Sequence, residues 1–299
     1  MVLSVSWFMV LESALEGPKT RTRAVPRVRY DTGMKIPASL LCLLATITTP
    51  AVADDALSTM PPDDASAIGR IFPGVVLGPS DKKTLDVEKG WFSPDAVELV
   101  YVKPTDESKR VSWKVIPTNR GPGEDKALDP DDAKGKGWAV DLPTDVVRYY
   151  VPTDDSGLEG PIDLAKSYSY VIRLDPAEPL IDPALAKGGD AQRKISVKIS
   201  DVGSPQDVQY GGTVTCTSTD LGVWRVKVPH GEHHARLVKI HYAGGIGPAS
   251  VSATNYYFLV PGLGPVAYSD DRSISAFIFY NNDSDRSGVL KEVRKSTGR

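Results

Sequence analysis

The feature that most restricts the fold is a succession of short apolar or alternating runs, each closed by Gly, Pro, Asn, Asp or Ser. They fall at residues 97–102, 110–116, 138–142, 146–151, 168–174, 194–200, 213–219, 223–228, 236–242, 256–260, 266–269 and 273–280. All are rich in Val, Ile, Thr, Tyr and Trp, whose branched or flat side chains suit a pleated, half-buried surface. Within them Ile195, Val197 and Ile199 alternate with Lys194, Ser196, Lys198 and Ser200. Val238, Ile240 and Tyr242 alternate likewise with Leu237, Lys239 and His241, Leu237 being the one exception to a polar face. A period of two with one wet face belongs to antiparallel strands. The expectation is an all-β fold, mainly antiparallel, as a sandwich or an open barrel. Helix should be scarce: one turn at 182–187 and a short helix at 289–295.

Polar intervals set the expected organisation. The stretch 119–136 (NRGPGEDKALDPDDAKGK) has almost no apolar anchor, and 175–190 is polar and Pro-rich. The second interval marks a boundary between an N-terminal β module at 91–180 and a C-terminal one at 191–280, although one continuous sandwich could span it. Residues 54–90 read as a mostly flexible lead-in containing one apolar cluster at 71–77 that could form a first strand, and 281–299 as a polar tail.

Upstream of these runs lies a targeting signal. Met34-Lys35 opens an apolar stretch at 36–47 (IPASLLCLLATI), followed by Ala51, Ala53 and then Asp54-Asp55. A basic start, about a dozen apolar residues and an Ala-x-Ala site are the parts of a secretory signal peptide, with cleavage between Ala53 and Asp54. The stretch falls short of the roughly 20 residues a bilayer-spanning helix needs. Cys42 follows Leu41, where lipoprotein processing wants a small side chain, so lipidation is not expected. Residues 1–33 are a leader, cleaved or upstream of a true start at Met34. After cleavage Cys216 is the only cysteine, so no internal disulfide can form and the fold must rest on its core. No later run of 18 apolar residues occurs, so the mature chain is expected to lack a transmembrane anchor and to be periplasmic or secreted. A formal charge of −3 over 299 residues gives no support to nucleic-acid binding.

Residues 223–234 read VWRVKVPHGEHH, and 254–271 read TNYYFLVPGLGPVAYSDD. The pair V-x-V-P-x-G and Y-x-x-x-P-G-x-G-x-V resembles a class of uncharacterised secreted bacterial β-proteins. That resemblance implies secretion and a β-sheet or open-barrel fold, with no reaction attached. The residues themselves describe a turn. Pro261 presets its own φ, Gly262 supplies a positive φ at the next position, and Gly264 another where the strand resumes. A phosphate-cradling loop would need a helix after it, whereas Val266-Ala267-Tyr268 reads as a strand.

Candidate chemistry is sparse. All four histidines lie at 230–241: His230, His233, His234 and His241, with Glu232 among them. Imidazoles and a carboxylate can ligate zinc or copper, and His230, His233 and His234 with Glu232 are the metal candidates, although an exposed polar turn is the favoured reading. Asp283, Asp285 and Ser287, with Gly288 and Leu290, match the first half of a calcium loop. The closing acidic residue is replaced by Arg294. Ser250 is not in a G-x-S-x-G elbow, and Cys216 in VTCTST has no evident base. Trp91, Trp113, Trp138, Tyr149, Tyr150, Tyr168 and Tyr170 read as core, with Tyr149 and Tyr150 on opposite faces of one strand. No catalytic residue and no cofactor emerges. The leading expectation is an exported, non-catalytic β-protein that binds an unidentified protein or envelope component. The alternatives are a secreted hydrolase of envelope or extracellular polymers, whose carboxylates would meet only in space, and a His-dependent metal-binding protein.

Overall fold

The computed structural model describes residues 56–82, 84–87, 90–118, 137–182, 185, 189–276 and 280–296, with side chains at 272–285 outside that description. The signal segment with Ala51, Ala53 and Asp54, and the polar interval at 119–136, lie outside the described residues.

Thirteen strands run β1 (Val76–Pro79), β2 (Val97–Lys103), β3 (Asp106–Thr118), β4 (Gly137–Leu142), β5 (Val146–Pro152), β6 (Leu158–Ala165) and β7 (Tyr170–Ile181). They continue with β8 (Asp190–Asp201), β9 (Val208–Val228), β10 (Gly231–Ile246), β11 (Ala249–Val260), β12 (Gly264–Ala276) and β13 (Tyr280–Lys295). From β2 to β13 each strand pairs antiparallel with the next, and β13 pairs back onto β2 through Val289↔Val102 to Lys295↔Val97. The result is a closed twelve-stranded up-and-down barrel rather than a sandwich or an open barrel. Closure gives every strand of the ring a neighbour on both sides, with the ladder interrupted along part of the β7–β8 seam.

β1 is the thirteenth strand. β9 pairs with β8 from Val208 to Thr219 and with β1 from Trp224 to Val226, while β10 runs along its other edge. β1 therefore takes up the place beside β9 that β8 leaves. The stretches 91–180 and 191–280 do not form separate sheets. The interval at 175–190 contains the end of β7, which parts from β8 after Asp175↔Ser196 yet stays bonded to β6 as far as Leu158↔Ile181. Pro176 and Pro179 lack the N–H a ladder needs, which explains why the β7–β8 pairing stops there.

Two further segments differ from the sequence expectation. Residues 281–299 contain β13, the closing strand, so the short helix expected at 289–295 is a strand instead. Val289, Leu290 and Val293 imitate a helical spacing, but a bulge between Leu290 and Glu292 puts the run in register with β2. The lead-in contains a helix, α1 (Pro62–Ile71), with Pro in its first turn, Asp63 and Asp64 at the positive end of its dipole and Arg70 at the negative end.

The strands divide their faces as the alternation requires. Tyr101, Trp113, Tyr150, Tyr242 and Tyr257 are almost wholly buried. Tyr101, Trp113 and Tyr268 form one ring cluster with centroids 4.6–5.0 Å apart. Tyr242 of β10 reaches Glu178 of β7, three strands away, a contact only the interior permits. On the outside, Lys194 and Lys198 of β8 and Ser250 and Ser252 of β11 are exposed. The exposed Lys and Ser side chains on these outer faces differ from the continuous apolar band of a membrane-spanning barrel. No helix among the described residues is long and apolar enough to cross a membrane. α1 lies against the outer wall. Asp64 accepts from Lys239 Nζ (2.7 Å) and Tyr256 Oη (2.8 Å), which face each other across β10 and β11, and Phe72 meets Phe258 edge-on.

Candidate functional site

Twelve strands enclose more space than aliphatic side chains fill, and this barrel meets the difference with rings and an ion cluster. Arg148 (β5) is 1% exposed, Asp163 (β6) 1% and Glu178 (β7) 7%. Arg148 donates from Nε and Nη2 to the two oxygens of Asp163 (2.6 and 2.5 Å) and from Nη1 to Glu178 (2.9 Å). The Tyr242 hydroxyl donates to the same Glu178 oxygen (2.6 Å). Burial works against the guanidinium charge, but Asp163 and then Glu178 overcome it and hold the Arg148 pKa above its usual value. A forked, charge-assisted pair of this kind is the geometry in which Arg tolerates burial.

Beside the cluster, the wall between β7 and β8 is closed by side chains. Arg193 of β8 bonds Glu159 of β6 and donates to Asp182 (2.9 Å) and the Ala177 carbonyl (3.4 Å). Its neighbour across the β8–β9 ladder is Cys216. That thiol is buried, and burial first, then the nearby Glu178, pushes its pKa up to about 12. A thiol held protonated is a packing group rather than a nucleophile.

The outer wall carries one polar depression of about 300 Å³, lined by Ser112, Lys114, Asp141, Leu142, Pro143, Asp145 and Lys166. Lys166 Nζ lies 2.7 Å from Asp141 and 3.8 Å from Asp145, so two carboxylates share one ammonium. Hydrogen bonding from Ser167, its side chain first and then its N–H (2.6 Å), holds the Asp145 carboxyl below its ordinary range. Asp145 also adopts φ 64°, a left-handed conformation at the β4–β5 turn that aims its side chain back over Lys166. The chemistry on offer is hydrogen bonding and charge pairing. An ionised Asp145 is unsuited to the general-acid role a glycoside hydrolase needs.

The sequence candidates separate in space. His230 and His233 meet at the β9–β10 turn, Nδ1 to Nε2 3.2 Å, with rings stacked at 13°. Partial burial and then His230 lower the His233 pKa. His234 points the other way, to Ser80 (2.6 Å) and Asp81 (3.7 Å), and Glu232 lies 3.8 Å from Lys227. Among the described residues no group of three or more His, Cys, Asp or Glu is placed to hold a metal. Residues 283, 285 and 287 are alternate positions of β13 rather than a loop, paired with Ser273, Asp271 and Ser269, and the side chains of Asp283 and Asp285 lie outside the described set. The turn residues behave as expected: Gly262 has φ 75° and Gly264 φ 91°. A Cβ on Gly264 would come within 2.7 Å of the Phe92 ring. Of the adjacent tyrosines, Tyr150 is inside and Tyr149 half-buried outside, its pKa raised to about 12 by burial and Asp141.

Fold and site together define a closed up-and-down β-barrel with a buried ion cluster inside and a polar depression on its outer wall. No family model and no curated protein matches the chain. Two solved structures are similar to it. A protein described as exported and YmcC-like in fold, from Bacteroides fragilis, is 12% identical over 69% of this chain and 99% of its own, with TM-score 0.34. A protein described as a lipoprotein, from Parabacteroides distasonis, is 9% identical over 68% and 98%, with TM-score 0.33.

Proposed function

We propose that the chain is an exported, non-catalytic barrel that works by binding a component of the cell envelope at its outer wall. The observation that carries this reading is the engaged state of the buried polar groups inside the barrel: Arg148 is paired with Asp163 and Glu178, and Tyr242 donates to Glu178, while Tyr101, Trp113, Tyr150 and Tyr257 are buried around them. The secretory signal at 34–53 and the polar outer wall support the location, and the depression around Lys166 supplies paired ammonium and carboxylate groups for a polar ligand.

The rival hydrolase finds two carboxylates in one depression, Asp141 and Asp145, but both are tied to Lys166. Incubating the protein with isolated envelopes separates the two readings. Binding predicts co-sedimentation, weakened by Asp141→Ala and Lys166→Ala, with no soluble fragments released. Release of polymer fragments, or protein left wholly in the supernatant, would overturn it.

A further inference from the structure

We propose that His230 and His233 form a two-imidazole chelate for a divalent transition-metal ion, with Cu2+ the best fit. Their facing nitrogens, Nδ1 of His230 and Nε2 of His233, are 3.2 Å apart. Two ligands each about 2.0–2.1 Å from one metal, at angles between square and tetrahedral, are about 2.9–3.4 Å apart. The pair is therefore set at chelating distance before any ion arrives. The hairpin that carries it is fixed at three points. Val228↔Gly231 closes the β9–β10 ladder, the His230 N–H donates to the Leu290 carbonyl (3.0 Å), and the two rings stack with centroids 5.3 Å apart. His230 is exposed and His233 half-exposed, so an ion can enter from water.

Two protein nitrogens leave the remaining coordination positions to water or to a ligand brought by a partner. An imidazole-only donor set favours Cu2+ over Ni2+ and Zn2+ in the usual order of divalent affinities. The inference does not rest on the binding role proposed for the Lys166 depression, which lies on other strands.

The test is isothermal titration of the untagged protein with Cu2+ at pH 7.5. One saturable site is expected. Outer-shell changes alone weaken metal sites about 10–100-fold, so removing one of two ligands should cost at least about tenfold. His230→Gln and His233→Gln should each show that loss, while His234→Gln and His241→Gln bind as the parent does. These are the other two histidines of the chain, and each faces a hydroxyl, Ser80 or Thr254. Because the chelating pair sits at a surface turn, both variants should melt as the parent does. No saturable binding, or binding that survives in the double variant His230→Gln/His233→Gln, would overturn the proposal.

Discussion

Removing the guanidinium from the centre of the barrel tests the interior most sharply. In Arg148→Met the carboxylates of Asp163 and Glu178 stay buried, and Glu178 keeps a hydrogen bond from Tyr242 (2.6 Å) while losing the one from Arg148 (2.9 Å). Asp163 loses both of its bonds from Arg148. Stripping one partner from a buried ion pair costs about 3–5 kcal/mol, because the remaining charge has neither water nor a counter-ion. For a domain of this size that is a fall in Tm of about 6–20 °C. The companion variant Arg148→Met/Asp163→Leu/Glu178→Met/Tyr242→Phe removes every polar member, including the Tyr242 hydroxyl that would otherwise lose its acceptor. Replacing a buried ion cluster by apolar groups of similar volume is about neutral or stabilising, so this variant should recover most of the loss. Urea unfolding of the three proteins, followed by tryptophan fluorescence, measures both differences. A single variant within about 1 kcal/mol of the parent, or a fourfold variant no better than the single one, would refute the view that the cluster is a charge-balanced filling.

The other expectations follow from individual contacts. Arg193→Ala should unlock the β7–β8 seam, cost about 1.5–3 kcal/mol as a lost charged hydrogen-bond set and speed maleimide labelling of Cys216, read by mass spectrometry. In the parent that thiol should resist labelling at pH 8 until the protein is unfolded. Since the folded thiol titrates near 12 and the unfolded one near its ordinary 9.0, its share of stability is intact below pH 9 and is lost as pH rises towards 12. Cys216→Ala should flatten that alkaline decline in urea melts taken at pH 8–10. Gly264→Ala meets both a positive φ and the Phe92 ring, so it should lower Tm more than Gly262→Ala, where φ is positive but the space is open. Asp64→Ala removes the acceptor shared by Lys239 and Tyr256, and limited proteolysis should then cut the α1 segment at a rate at least several-fold above the parent's.

Much of the wall was legible from alternation alone, because Ile195, Val197 and Ile199 can be buried together only in a strand. Two strands escaped for reasons the structure explains. β6 carries Asp163 at a core position beside Gly160-Pro161, and its partner Arg148 lies on the previous strand, so local periodicity shows a polar break where space shows a salt bridge. β13 is polar along its first half and pairs with β2, nearly the whole chain away, so nothing local announces closure. The same separation hides the ring itself, since a meander and a closed barrel have identical local patterns until the first and last strands meet. α1 was masked by its short length and its Pro and Asp residues, which mark a helix start only once an apolar face such as Ile68 and Phe72 is seen to have a wall to cover. At the candidate sites, the clustering of histidines was visible in the sequence, but not which two would face each other. Asp141, Asp145 and Lys166 gave no signal at all, because hairpin register alone brings them together.

Amide hydrogen exchange at Val289–Lys295 tests closure, on which the packed interior and the outer-wall function both depend. Closed by β2, the alternate amides of this stretch that face it should be protected to a degree comparable with the central β9 and β10 ladder. Exchange within seconds across that stretch, with β9 and β10 protected, would mean that the sheet is open at β2 and that the barrel described here does not form.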